Sequence, residues 1–134
     1  MKILLAVDGS KPSLNAVQCL IDHANWYREP PQVELLNVHP PVPQLPRLGK
    51  VVSKAAIEQY YREESEAALA AAKKKLDAAG IKYETRLLVG PPAETIVKHA
   101  KGFDVVYMGA PAAFIGSVSN KVMHLSDVPV LIVK

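Results

Sequence analysis

Short, nearly continuous apolar runs alternate along the chain with longer stretches in which apolar residues recur every three or four positions. The runs suit strands buried on both faces, and the longer periods mark one face of a helix. Residues 2–8 (Lys-Ile-Leu-Leu-Ala-Val-Asp) predict a first strand. A helix follows: Ser10 is placed to cap it, Pro12 is tolerated in a first turn, and Leu14, Val17, Ile21 and Ala24 share one face before Trp26 and Tyr27 close it. Glu29-Pro30-Pro31 break that helix, because proline lacks an amide donor and restricts its predecessor. Val33 to Val38 predict a second strand, ended by His39, and Pro40-Pro41-Val42-Pro43-Gln44-Leu45-Pro46 reads as a stiff surface loop.

From about Lys54 to Ala79 a long, alanine-rich helix keeps Tyr61, Ala68, Leu69, Ala72, Leu76 and Ala79 on one stripe, and Gly80 stops it. Residues 82–89 predict a third strand, and Gly90-Pro91-Pro92 turn the chain. Ala93, Ile96, Val97 and Ala100 then share a face of a short helix that Gly102 ends. Asp104 to Gly109 form a fourth strand, Ile115, Val118, Val122 and Leu125 mark a further helix, and Val128 to Val133 a fifth strand. The order βαβαβαβαβ predicts an α/β fold: one doubly wound domain over residues 1–134, with a five-stranded parallel sheet and helices on both faces.

Composition bounds the function. With 134 residues, 49% hydrophobic and 22% charged, the chain is long enough to bury a core without disulfides or a structural metal. A single Cys19 and four scattered histidines exclude an intramolecular disulfide framework and give no zinc-ligand spacing, which fits a cytosolic protein. Sixteen Lys and Arg against thirteen Asp and Glu leave +3, too dispersed to predict nucleic-acid binding, and Lys73-Lys74-Lys75 reads as a solvated helix face. The opening apolar run is too short for a signal-peptide core, and no stretch is long enough to span a membrane.

In an open doubly wound sheet, ligands bind beyond the carboxyl ends of the strands where strand order reverses. The candidates there are Ala6-Val7-Asp8-Gly9-Ser10, Val38-His39 and Met108-Gly109-Ala110-Pro111, the last leading to Gly116-Ser117-Val118-Ser119 at a helix start. A glycine-containing turn before a helix N-terminus offers unpaired amides and suits an anion. Each residue also has a structural role open to it: Asp8 as a turn cap, Val38 and Met108 as sheet core, Ser117 as a helix cap, Gly9 and Gly109 as tight-turn glycines.

Three stretches together resemble the universal stress protein family: Ile3 to Ser10 with Ser13, the strand end Val105-Val106-Tyr107-Met108-Gly109, and Gly116-Ser117-Val118-Ser119-Asn120-Lys121-Val122 through Val128-Pro129-Val130-Leu131-Ile132-Val133. The closing block is the most diagnostic, and the element order matches over the whole chain. The resemblance implies a Rossmann-like fold of the adenine nucleotide alpha hydrolase-like kind in a cytoplasmic, homodimeric stress-response module. It implies ATP, AMP or another adenine nucleotide, with magnesium accompanying it, held by Ala6, Asp8, Val38, Met108, Gly109, Gly116, Ser117 and Val118. It also implies a dimer interface through the closing strand, Val130, Leu131, Ile132 and Val133. An apolar strand at a sheet edge invites such pairing on physical grounds.

The nucleotide-binding branch carries Gly-x2-Gly-x9-Gly-Ser/Thr after the fourth strand. Gly109 and Gly116-Ser117 match its ends, but Ala112 stands at the second glycine, and only six residues separate Gly109 from Gly116 where that pattern has twelve. The departure shortens the phosphate loop and leaves the adenine half intact. The alternative is an interaction dimer of the same fold with a vestigial crevice. A slow ATP hydrolase ranks last, because no general base, carboxylate pair or phosphate lysine is identifiable. Among the remaining residues, Cys19 reads as a buried inert thiol, Tyr60 and Tyr61 as one surface and one core ring, and the histidines as structural.

Overall fold

A computed structural model describes residues 1–42, 53–111 and 116–134. They form strands β1 (Lys2–Ala6), β2 (Gln32–His39), β3 (Tyr83–Val89), β4 (Val105–Gly109) and β5 (Val130–Val133) and helices α1 (Lys11–His23), α2 (Lys54–Ala78), α3 (Pro92–His99) and α4 (Ser117–Leu125). All strand pairings are parallel, in the order β3-β2-β1-β4-β5. The chain therefore winds outward from β1 through β2 to β3, then returns to the other side of β1 for β4 and β5.

Two apolar layers sandwich the sheet. Ile3, Leu5, Val33, Leu35 and Tyr107 face α1 and α2, meeting Val17, Leu20, Leu69 and Leu76. Leu4, Ala6, Leu36, Val106 and Met108 face α3 and α4, meeting Ala93, Ile96 and Val122. After Lys2, every residue of β1 is buried, as its unbroken apolar run demands.

The local signals place the helix ends. Ser10 caps α1, its hydroxyl accepting from the Ser13 N–H at 3.3 Å. At the far end of α2, Gly80 adopts φ +70 while its N–H bonds the Asp77 carbonyl at 3.1 Å and the Ile81 N–H bonds Leu76 at 3.0 Å, which together make a Schellman stop.

Several boundaries differ from the sequence pattern. β1 ends at Ala6, not Asp8: Val7 is buried and its N–H still bonds the Leu36 carbonyl of β2 at 2.9 Å, but its carbonyl accepts from the Asn37 side chain at 2.8 Å. α1 ends at His23 and tightens into a 3₁₀ turn, Ala24–Trp26. β5 begins at Val130, because the Ser126 hydroxyl ties off a turn, accepting from the Val128 N–H at 3.0 Å and donating to the Val128 carbonyl at 2.7 Å. The buried stripe of α2 is Ser65, Leu69, Ala72 and Leu76, with Tyr61 and Ala68 half-buried and Ala79 exposed. The loop predicted through Pro46 lies outside the described residues beyond Val42, as do Ala112 and Ile115.

Candidate functional site

β1 and β4 leave the sheet's centre in opposite topological directions, and a cleft of about 570 Å³ opens above their carboxyl ends. Its floor is set by register: Ala6 lies between Leu36 of β2 and Met108 of β4, three apolar side chains on one face. Val38 and Pro40 extend it along β2, Pro92 and Ile96 of α3 close one side, and Asp8, Ser10, Pro12 and Ser13 form the β1–α1 rim. Gly109, Pro111 and the first turn of α4, Gly116 to Ser119, complete the lining. All eight positions singled out from sequence thus meet in one cleft.

Asp8 is the only charged side chain among the described cleft residues. One carboxylate oxygen accepts from the Ser10 N–H at 2.9 Å. Partial burial alone would raise this carboxyl, but the hydrogen bonds from the Ser10 side chain and backbone and from Ser13 outweigh it and hold Asp8 below the usual carboxylate value. Asp8 is therefore both a turn cap and an ionised group at the cleft. Gly9, with φ +87, permits the reversal and sets its α-carbon close to the Ala68 backbone of α2.

Two structural roles expected from sequence are corrected. Gly109 has no positive φ and is not a tight-turn glycine; it is required because β4 runs against α1, where a Cβ would penetrate the Pro12 carbonyl and lie 2.6 Å from the Ser13 nitrogen. Ser117 is not the cap of α4 but its first residue, exposed; Gly116 is the cap and supplies no side chain. The Ser119 hydroxyl instead donates back to the Gly116 carbonyl at 3.0 Å. Among the described residues no side chain caps the first-turn amides of α4, beside the cleft. Met108 and Val38 serve twice, Met108 as buried core and Val38 as half-buried wall.

Sequence reasoning did not place Pro12, Leu36, Pro40, Pro92 and Ile96 in the cleft. Leu36 was recoverable from its position opposite Ala6 in a parallel pair, and Pro40 from its place directly after His39. Pro92 and Ile96 were recoverable only once α3 was placed on the Ala6 face.

At the opposite, amino ends of the strands lies a larger open groove of about 1000 Å³. It carries charges of both signs, Lys2, Arg28 and Lys82 with Glu34 and Glu84, and it is remote from the switch point. Near it, Tyr107 is buried in the sheet and hydrogen-bonds both Tyr27 and His23 Nδ1, the latter at 3.0 Å. Burial first, then the bond to Tyr27, pushes the Tyr107 phenol far above the ordinary tyrosine range. Cys19 is half-buried, not fully buried, with Sγ 3.4 Å from His23 Nε2, and burial raises its thiol. Tyr60 is exposed and Tyr61 half-buried, its hydroxyl accepting from the Val42 N–H at 2.8 Å. Among the described residues no group of three or more His, Cys, Asp or Glu could hold a metal, and no helix is long and apolar enough to cross a membrane.

The four residues of β5 are all half-buried, paired to β4 on one side and with their other edge outermost in the sheet. At the other edge, β3 exposes Glu84, Thr85 and Arg86.

The model of the universal stress protein family matches residues 1–134. Universal stress protein MJ0531 of Methanocaldococcus jannaschii is 34% identical over 142 residues, covering 99% of this chain and 81% of the relative. The solved structure of MJ0577 from the same organism superposes with a TM-score of 0.77 at 29% identity, covering 99% of this chain and 94% of that one. A universal stress protein solved in complex with cAMP superposes with a TM-score of 0.72 at 24% identity, covering 100% of this chain and 97% of that one, a likeness of fold.

Proposed function

This chain belongs to the universal stress protein family, and from that premise we propose that it is a cytoplasmic, stress-responsive binding module that takes an adenine nucleotide into the cleft above β1 and β4. The observation that carries the reading is convergence: Ala6, Asp8, Val38, Met108, Gly109, Gly116, Ser117 and Val118, drawn from three strand ends and one helix start, line one cavity. The floor of Ala6, Leu36 and Met108 suits the face of a planar base. The Asp8 carboxylate accepts from sugar hydroxyls or an exocyclic amine, and the α4 amides remain as donors. The cAMP complex of a protein with the same fold supports the class of ligand.

The cleft suits binding rather than turnover. Asp8 is its one described carboxylate, so a magnesium ion arriving with phosphates would find a single protein ligand of that kind.

The protein acts as a homodimer in this reading, β5 pairing antiparallel with its copy across a two-fold axis. β5 presents Val130, Leu131, Ile132 and Val133 along an outer edge, while β3 shields its own edge with Glu84 and Arg86. α4, which packs on β5, adds exposed Met123 and Leu125.

Calorimetric titration with AMP tests the binding. Saturable one-site heat that Asp8→Ala weakens supports the reading. Absence of heat at millimolar AMP overturns it and favours a dimer that works through protein contacts alone.

A further inference from the structure

We propose that Trp26, His23 and Tyr107 form a trap for one-electron oxidants, in which the oxidising equivalent enters at the exposed indole and comes to rest on the buried phenol. The inference is independent of the adenine reading and concerns the α1 face of the sheet.

The contacts run in series. The Trp26 ring, 75% exposed, stacks on the His23 ring with centroids 3.8 Å apart and planes 16° from parallel. His23 meets Tyr107 edge to face at 5.9 Å, and the Tyr107 hydroxyl lies 3.0 Å from His23 Nδ1. Tyr107, only 2% exposed, is in register with Leu5 and Leu131 and shares a layer with Val17 and Leu20, which shields it from solvent. A ring-to-ring path therefore leads from water to the middle of the sheet. All five tyrosines, the single tryptophan and all four histidines are described residues, and of the tyrosines Tyr107 alone hydrogen-bonds a histidine.

That bond decides where the oxidising equivalent stops. A buried phenol gives up an electron only when its proton leaves with it, because a charged radical cation in an apolar sheet is costly. Of the two groups on the Tyr107 oxygen, Tyr27 is another phenol, whereas His23 Nδ1 is a base in the tautomer that carries its proton on Nε2. One electron passes from the Trp26 indole to the oxidant and leaves an indole radical cation. An electron then moves from Tyr107 to Trp26 while the Tyr107 O–H bond breaks and its proton forms an N–H bond at His23 Nδ1. Trp26 is restored, Tyr107 is a neutral phenoxyl radical and His23 is an imidazolium. Both products are held in place. The Tyr27 hydroxyl donates to the phenoxyl oxygen, which has lost its own hydrogen. The imidazolium keeps its ring on the face of Trp26 and its Nε2–H toward Cys19 Sγ, 3.4 Å away.

Electron spin resonance tests this on protein frozen after a flash with tris(bipyridine)ruthenium(II) and a cobalt(III) quencher, the ruthenium(III) product being the oxidant. Tyr60, the exposed tyrosine, is replaced throughout by Tyr60→Phe so that it cannot be oxidised directly. The expected signal is a tyrosyl radical. Tyr107→Phe should lose it and hold the radical on Trp26, and His23→Gln, which removes the base, should do the same. Trp26→Phe should also lose the tyrosyl signal, and because that position is exposed the variant keeps the test open if the buried one unfolds. A tyrosyl signal undiminished in any of these three variants overturns the proposal. So does a parent protein that shows only a tryptophan radical, or no protein radical at all.

Discussion

Gly109 at the end of β4 lies flush against Pro12 at the start of α1, with no room between them for a Cβ. That contact seats the first turn of α1 over the strand end and so fixes the rim of the cleft, Asp8 to Ser13, above its floor, Ala6 and Met108.

Gly109→Ala must therefore push α1 away from β4. The obstacle is backbone and cannot rotate aside, so the substitution should cost about 2–3 kcal/mol, as overpacking of a close contact does. Urea unfolding should show a lowered midpoint, and an unshifted midpoint would mean that the approach is looser than described.

The folded-state pKa of Asp8 lies below its ordinary 3.8, so its ionised form contributes stability above that pH and the contribution is lost as pH falls through the folded value. Asp8→Asn should be less stable than the parent protein at pH 7. The difference between the two melting temperatures should shrink as pH falls below 3.8; a constant difference would mean that the Ser10 and Ser13 bonds do not favour the ionised carboxylate.

Leu131 lies on the outer strand, half-buried and in register with Tyr107. Leu131→Asp should give monomers in sedimentation analysis, while Thr85→Asp on the opposite edge should leave dimers. Dimers of a folded Leu131→Asp protein would rule out the β5 interface.

Tyr107, buried and bonded to Tyr27 and His23, should stay protonated beyond the ordinary tyrosine range. With a raised folded-state pKa, its contribution to stability is complete below about pH 10 and is lost as pH rises beyond that. In an ultraviolet pH titration, one of the five tyrosines should ionise only as the protein unfolds. Ionisation of all five in the folded protein would contradict this burial. Tyr107→Phe removes both bonds and should cost about 1–2 kcal/mol in urea unfolding.

Strand and helix order was legible because periodicity distinguishes a doubly buried strand from an amphipathic helix, and five strands and four α-helices follow in the predicted order, with several of their ends shifted. The switch point followed, since ligand position depends on strand ends. What sequence did not carry is contact at short range. Val7 is buried and its N–H still bonds the Leu36 carbonyl of β2, yet its own carbonyl accepts from the Asn37 side chain, so the strand ends one residue earlier. Gly109 looks like a turn glycine, yet its reason is the Pro12 carbonyl, ninety-seven positions away in the sequence. Ser117 has the composition of a cap, but the glycine before it takes that place. Pro92 and Ile96 entered the cleft only through the placement of α3.

The central claim is that an adenine ligand occupies the cleft above β1 and β4. Nitrogen-15 NMR of the uniformly labelled protein titrated with adenosine tests it most directly. The account predicts saturable amide shifts concentrated at Ala6 to Asp8, Val38, Met108 and Gly109, and Ser117 and Val118, all in one cavity. Shifts gathered instead around Arg28, Lys82 and Tyr83 in the groove at the other end of the sheet, or none at saturating adenosine, would contradict it.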